Sequence, residues 1–258
     1  MQDSGYSATF GALTQQYRMD IIANNLANVN TTGFKADKLA FRDTFTRYAH
    51  DLLNPNKSVQ EQVPWPRGFV LAQSRIAERV IDFSQGNMKS TGNPLDFTIA
   101  GDGFFRIQTP EGEMLTRQGA FHRSSDGYIV DAHGNQLLGE GGPLQLPEEG
   151  TVVVDGSGGL SVNGEQIDSI SLVTVEDLAV LEKIGHSMFR IRPDANAQVI
   201  AAEDASIEQG FVEAANIEVV TEMVNMIETM RAFEAYQKMI TSTFEQDKKA
   251  INEVGAPR

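Results

Sequence analysis

Four histidines are the only imidazoles in the chain: His50, His122, His133 and His186. They are scattered, and none forms an HExxH or comparable close ligand pair. Each is therefore expected to be a lone surface or structural residue. Serine, histidine and aspartate all occur, but no GxSxG elbow sets a serine up as a nucleophile. Asp155-Gly156-Ser157-Gly158-Gly159 opens like a calcium loop, yet an EF-hand needs glutamate at its twelfth position, where Gln166 stands. A flexible turn is expected there. The glycine runs at 139–142 and 156–159 lack the lysine and following helix of a phosphate loop. Asp96, Asp102, Glu111 and Glu113 could supply the carboxylate pair of a glycosidase. Acidic residues are abundant, however, and sequence spacing does not fix their separation in space. With no cysteine, thiol catalysis, thiolate-bound zinc and disulfides are all excluded. The chain reads as a non-enzyme, with no catalytic residue, cofactor or metal.

Composition agrees with that reading. The 258 residues are 41% hydrophobic and 22% charged, an ordinary globular balance that argues against wholesale disorder. The net charge is -14, from 21 basic and 35 acidic residues, and no basic stripe is present, so no nucleic-acid partner is expected. No run approaches the length of a membrane-spanning helix, so no membrane span is expected. The N-terminus lacks a basic region followed by a continuous apolar stretch, and a cleaved secretory signal is not expected.

The elements fall into an α+β arrangement: long terminal helices forming a coiled-coil stem around a central, mainly antiparallel β domain. Residues 1–48 read as a helical segment, 49–69 as a loop or extended connector, 70–213 as the β-rich domain and 214–258 as a second helical segment. In the first, Phe10, Leu13, Tyr17 and Ile21 fall on one helical stripe, continued by Asn24 and Asn28. Met19, Ile22, Leu26 and Val29 form a second stripe roughly opposite. A helix apolar on two sides is normally surrounded by protein. Gly33, followed by Phe34, offers a stop. In the last segment Met223, Met226, Met230, Phe233, Ile240, Phe244 and Ile251 fit the core positions of one heptad register, with Gln237 and Asp247 as polar exceptions. Val219, Val220, Val224 and Ile227 widen its apolar face. Between the helices, Asp126-Gly127 and Asn163-Gly164 are hairpin signals, Thr109 to Glu113 is another turn, and Thr151–Val154 and Ser169–Val175 have strand composition. Residues 178–184 suggest a helical turn or two.

Neither terminal helix can bury two apolar faces alone. The stripes suit a hairpin packed on its own domain, or pairing with each other and with neighbouring copies. A polar residue in such a stripe fixes register and partner choice at a cost in stability. Asn24, Asn25 and Asn28 are candidates for that role, the competing role being to end the helix.

The stretch Ile21-Ile22-Ala23-Asn24-Asn25-Leu26-Ala27-Asn28-Val29-Asn30-Thr31-Thr32-Gly33-Phe34-Lys35 closely resembles the N-terminal signature of bacterial flagellar rod and hook proteins. Gly101-Asp102-Gly103-Phe104-Phe105, Thr116-Arg117-Gln118-Gly119-Ala120-Phe121 and Gln209-Gly210-Phe211-Val212-Glu213, with Asn216-Ile217 and Glu222-Met223-Val224 behind it, resemble the same family in the same order. The chain length and Arg231-Ala232-Phe233-Glu234-Ala235-Tyr236-Gln237-Lys238 are most similar to the proximal-rod branch, with the distal-rod branch as the alternative. The resemblance implies a motility protein of the flagellar basal body that leaves the cell interior through the flagellar type III export apparatus without a cleaved signal. It implies helical assembly, with copies of itself and other rod and hook proteins, into the periplasm-crossing shaft that carries torque from motor to hook. The interface it implies comprises Phe10, Leu13, Tyr17, Ile21, Asn24, Asn25, Leu26, Asn28, Val29 and Phe34 near the N-terminus. Met223, Met226, Ile227, Met230, Phe233, Gln237, Ile240 and Phe244 complete it near the C-terminus. A less favoured reading is a monomeric peptidoglycan- or carbohydrate-binding module using Trp65, Phe121 and Tyr128.

Overall fold

The computed structural model describes residues 2–42, 75–195, 197–202 and 204–254. The expected connector at 49–69 lies outside the described residues. Two compact units emerge, each drawn from separate stretches of chain: residues 25–36 with 81–219, and residues 1–24 with 37–80 and 220–258.

The larger unit is built on hairpins. Its main sheet runs, in order, through Leu181–Gly185, Met188–Ile191, Gly112–Thr116, Phe104–Thr109, Gln136–Leu137, Ile129–Val130 and His122–Arg123. Leu172–Val175 also pairs with Phe104–Thr109 and carries Val199–Ala201 on its other side. All these pairings are antiparallel. Val152–Val154, Gly159–Val162 and Glu165–Ser169 make a three-stranded sheet. Ser206–Gln209 pairs with Phe97–Ala100, and Phe211–Glu213 with Met88–Ser90.

The turn signals fall where expected. Thr109 to Gly112 closes one hairpin, with Thr109 Oγ1 donating to the Gly112 carbonyl at 2.8 Å. Asn163 and Gly164, at φ 55° and 87°, close another in the left-handed conformation that suits strand twist. Residues 178–184 differ in part: Leu178–Val180 is one 3-10 turn, capped by Asp177, and the chain then enters a strand at Leu181.

Alternation along Phe104–Thr109 explains the core. Adjacent side chains on a strand point to opposite faces. Phe105 and Ile107 join Phe97, Met114, Phe121, Leu137 and Leu160 in one cluster, while Phe104 joins Leu115, Val173, Leu181 and Phe189 in the other. Both faces of this strand are thus packed. Phe83, Phe104 and Phe189 meet edge to face with centroids 5.2–5.7 Å apart, as do Phe105 and Phe121 at 5.6 Å, the arrangement aromatic quadrupoles favour.

In the smaller unit, Asp37–Arg42 forms a strand paired with Arg75–Ile81. This corrects the helical reading of residues up to 48 over its described part. Asp37 is buried and ion-paired with Arg79, whereas Lys38 is exposed, so side chains alternate as in a strand. The first helix, α1, spans Gln2–Ala27, and the second, α2, spans Val219–Val254, about 54 Å at 1.5 Å per residue. α1 stops short of Gly33. The run Asn28 to Thr32 contains residues that compete for backbone hydrogen bonds, and it continues as turns, with Asn28 N donating to Asn25 O and Thr31 N to Asn28 O, both at 3.0 Å. Tyr236 of α2 lies against Gly11 of α1, where any Cβ would overlap the ring. No described helix is long and apolar enough to cross a membrane.

Phe105 is fully buried, so Phe105→Ala should cost about 3–5 kcal/mol. Urea unfolding of the isolated subunit measures it, and Phe105→Leu should lose clearly less.

Candidate functional site

The segments marked out in the sequence converge. Gly33 takes φ 65°, and its N–H donates to the Glu213 carbonyl at 2.8 Å. A side chain at Gly33 would collide with the Arg117 and Gln118 backbone. Gly119 is as tightly placed against the Phe97 carbonyl, and its own carbonyl accepts the Phe97 N–H at 2.8 Å. Glycine is required here for close approach of backbones.

At the centre lies a buried ion cluster. Lys35 Nζ donates to Glu213 Oε1 at 2.7 Å, and Arg117 Nη1 lies 3.4 Å from Glu213 Oε2. The three side chains are 1%, 4% and 1% exposed for Lys35, Arg117 and Glu213. Backbone groups meet much of their remaining capacity, although Arg117 Nε is buried without a hydrogen-bond partner. Lys35 Nζ donates to Ser84 O at 2.8 Å, Arg117 Nη2 to Gly101 O at 2.7 Å, and Gly86 N to Glu213 Oε1 at 2.7 Å. Arg117 also sits 5.4 Å over the Phe104 ring, a cation–π contact.

Around this cluster the chain is tied further. Asn216 Oδ1 accepts the Ala36 N–H at 2.7 Å while its amide donates to Asp82 O at 2.8 Å. Lys183 Nζ donates to Lys35 O at 2.7 Å and stands 4.1 Å over the Phe34 ring. Burial pushes the Lys35 ammonium below its ordinary value near 10.5; the attraction of Glu213 opposes this, and Arg117 adds to it. Burial likewise lowers Arg117, with Glu213 and then Asp102 opposing.

None of this cluster was predicted as a site from residue chemistry. The signal was the set of short segments, whose spacing in sequence carries no information about their meeting.

The residues expected to form an assembly surface divide into three groups. Phe10, Leu13, Tyr17, Met223, Ile227, Met230 and Phe244 are exposed, with Phe244 at 70%, as are Asn24 and Gln237. Leu26, Asn28, Val29, Met226, Phe233 and Ile240 are half-covered. Ile21, Asn25 and Phe34 are buried inside the subunit. Asn24 Oδ1 accepts a bond from Arg79 at 3.4 Å, and Asn28 Oδ1 one from Thr31 at 3.3 Å.

The covered face of α2 takes in only half of the heptad seam read from sequence: Met226, Phe233, Ile240 and Asp247 lie on it, while Met223, Met230, Gln237 and Phe244 are exposed. Glu222, Asn225, Thr229, Ala232, Tyr236, Thr243 and Asp247 accompany Met226, Phe233 and Ile240 on it. Buried Thr229 satisfies its hydroxyl on the Asn225 carbonyl at 2.7 Å. α1 behaves similarly. Its small residues Ala8 and Ala12 are buried, along with Ile22, while Phe10, Leu13 and Tyr17 face outward.

Three other constellations resolve as structural. Asp155 Oδ1 accepts from Ser157 N, Ser157 Oγ and Gly159 N at 2.7–3.0 Å, and these bonds hold its carboxyl below the usual range. Asp96 accepts from Thr91 and Asn93, and Glu113 pairs with Arg106 at 2.6 Å. Phe121 is buried among Phe97 and Phe105, which removes it from any sugar-stacking surface; Trp65 lies outside the described residues. Among the described residues no group of three or more metal-ligating side chains is found.

Three family descriptions match the chain in order: "Flagella basal body rod protein" over residues 6–35, "Flagellar hook protein FlgE/F/G D1 domain" over 98–225, and "Flagellar basal body rod FlgEFG protein C-terminal" over 208–253. The chain is 33% identical to the flagellar basal-body rod protein FlgF of Caulobacter vibrioides over 257 residues, covering 99% of both proteins. The chain belongs to the flagellar basal-body rod protein family. It is also 32% identical to FlgF of Mesorhizobium japonicum, covering 99% of each, and 30% identical to the rod protein FlgG of Agrobacterium fabrum, covering 92% of this chain and 94% of that one. As a member of this structural family it is a rod subunit of the flagellar basal body, not an enzyme. The buried ion cluster thus joins segments from all three matched regions.

Glu213→Gln keeps the shape but leaves two buried cations without their counter-charge, and should cost about 3–5 kcal/mol in chemical denaturation. Adding Lys35→Met should lose less than the sum of the two single changes, because the lone lysine is then gone. Between the lowered Lys35 value and 10.5 the folded chain binds fewer protons than the unfolded one, so this group's contribution to stability rises with pH through that window. The difference in unfolding free energy between wild type and Lys35→Met should therefore climb as pH approaches about 10.5, and a flat or falling difference would contradict the assignment.

Proposed function

We propose that this protein is the FlgF-type subunit of the proximal rod, and that its outward apolar stripes are the surfaces through which it joins copies of itself and other rod and hook proteins. The observation that carries the assembly reading is the placement of large apolar side chains. Phe10, Leu13 and Tyr17 on α1, and Val220, Met223, Val224, Ile227, Met230 and Phe244 on α2, are exposed, while the covered faces mix small and polar residues such as Ala8, Ala12, Asn225 and Thr229 with Ile21, Ile22, Met226, Phe233 and Ile240. A monomer that used its helices only to cover itself would not leave this many large apolar residues outward as well. Contiguous exposed apolar surface marks an interaction site.

The FlgF assignment is supported by the FlgF relatives, which match at 33% and 32% along 99% of both chains. FlgG remains the second reading. The Bacillus subtilis FlgG is 29% identical over 98% of this chain.

In the assembled rod the terminal helices would pack as coiled coils with their neighbours near the axis, and the shaft would cross the periplasm. Long helices packed side by side resist twist because their interiors are close-packed. Ile21, Asn25 and Phe34 would act from inside the subunit by fixing the segment after α1, while Asn24 and Asn28 would bias register from its edge. Export through the type III apparatus without a cleaved signal, and the lack of a nucleic-acid partner, complete the reading.

Met230→Glu and Leu13→Glu alter exposed positions and should change subunit stability by no more than about 0.5 kcal/mol. Both should abolish swimming and leave the subunit out of purified basal bodies; normal motility would refute the interface. A cryo-EM map of the basal body with this chain traced by its side chains should place it in the proximal rod, and a distal position would assign it to the FlgG type.

A further inference from the structure

His133 and His186, separated by 53 positions in sequence, meet in the larger unit with ring centroids 4.0 Å apart and planes inclined at 49°. They come from two different turns, and both turns are held in place. His133 lies in the turn after Ile129–Val130. There Asp131 Oδ1 accepts the N–H groups of His133 and Asn135 at 2.8 and 2.9 Å, and Asp131 Oδ2 accepts the Asn135 amide at 2.8 Å. Both oxygens of Asp131 are therefore engaged in holding the loop.

His186 and Ser187 form the two-residue turn between Leu181–Gly185 and Met188–Ile191. Both are left-handed, at φ 49° and 57°, where Asn-Gly is the usual choice. Ser187 is buried, and its carbonyl accepts Thr116 Oγ1 at 2.9 Å, fixing the turn to the neighbouring strand. A strained backbone thus carries one imidazole to the other, and both rings are exposed.

The geometry points to a two-histidine site for a divalent transition-metal ion, bridging these two turns. Imidazole nitrogen suits zinc, nickel and copper. Two imidazoles on one such ion, each bound at about 2.1 Å, place their ring centres roughly 5 Å apart. The exposed rings need to open by about 1 Å to reach that separation. Water fills the remaining positions on the ion. Bound there, the ion cross-links two hairpin ends of the main sheet and stabilises the folded subunit in proportion to the logarithm of its concentration.

Zinc chloride is the probe. Titration calorimetry on the full-length subunit should show one saturable ion per chain, reversed by chelator, with a parallel rise in the thermal midpoint. His133→Gln and His186→Gln should each weaken binding on the order of 10²-fold, because the second ligand no longer binds intramolecularly. His122→Gln should leave it unchanged. Zinc should also shift the imidazole proton signals of His133 and His186 in the wild-type protein, a readout that needs no variant. Absence of saturable binding, equal loss in His122→Gln, or shifts at other histidines only would overturn the site.

Discussion

Two cations and one carboxylate are removed from water at a single point, and the chain can afford this only if nearly all of their donors and acceptors find partners together. Taking charges into the interior costs several kcal/mol per ion, which mutual attraction offsets only when geometry and hydrogen bonding are complete. Lys35, Arg117 and Glu213 approach that condition through the carbonyls of Ser84 and Gly101 and the N–H of Gly86, with Arg117 Nε left without a partner. A slip of one residue between segment 31–36 and segment 211–216 would bring Phe34 or Ala36 to the carboxylate in place of Lys35. An apolar cluster would tolerate such a slip far better. We therefore read the cluster as a register device. It fixes where the chain leaves the turns after α1 and where it approaches α2, points joined directly by the Ala36–Asn216 bond.

Close approach is the second half of that device. Gly33 and Gly119 let backbones pass where any side chain would collide. The charges need short distances, and the glycines make short distances possible. Neither feature explains the packing without the other. Phe104 and Phe105 extend the logic into the sheet: neighbours in sequence, they point to opposite faces, so one dipeptide anchors both hydrophobic clusters. Phe104 also lies beneath the Arg117 guanidinium, which ties the ion cluster to the core.

Hairpins such as Thr109–Gly112 and Asn163-Gly164 were legible because turn chemistry is local. The helical character of Gln2–Ala27 and Val219–Val254 was legible from uninterrupted periodicity. Asp37–Arg42 was not, because a short strand that owes its form to pairing with Arg75–Ile81 carries little signal of its own. The helix faces were half legible. Two stripes on α1 were readable, but which one turned outward depended on Ala8, Gly11 and Ala12, small residues that a hydrophobicity pattern passes over. On α2 the covered face took in only one column of the heptad, Met226, Phe233 and Ile240, and spread beside it onto Asn225, Thr229 and Tyr236. Shape, more than polarity, decided that face: Tyr236 needs the space that Gly11 leaves. The ion cluster and the meeting of His133 with His186 were invisible, since each joins residues whose separation in sequence says nothing of their distance in space.

A subunit with outward apolar stripes faces a problem before it docks, for the same surfaces can join wrongly. The net charge of -14 bears on this. Like charge repels over about the Debye length, some 8 Å at physiological salt, whereas apolar attraction acts only at contact. A misaligned pair meets the repulsion without recovering much buried area. An aligned pair on the proposed interface, with Phe10, Leu13 and Tyr17 or Met223, Ile227 and Met230 fully covered, would recover about 1.5–3 kcal/mol for each large side chain removed from water. That gain exceeds a screened surface repulsion, so acidity selects for alignment without preventing it. The chain thus combines two filters of different range. In the proposed assembly the buried cluster would set the internal register first, and the charged surface would then favour neighbours whose helices match along their length.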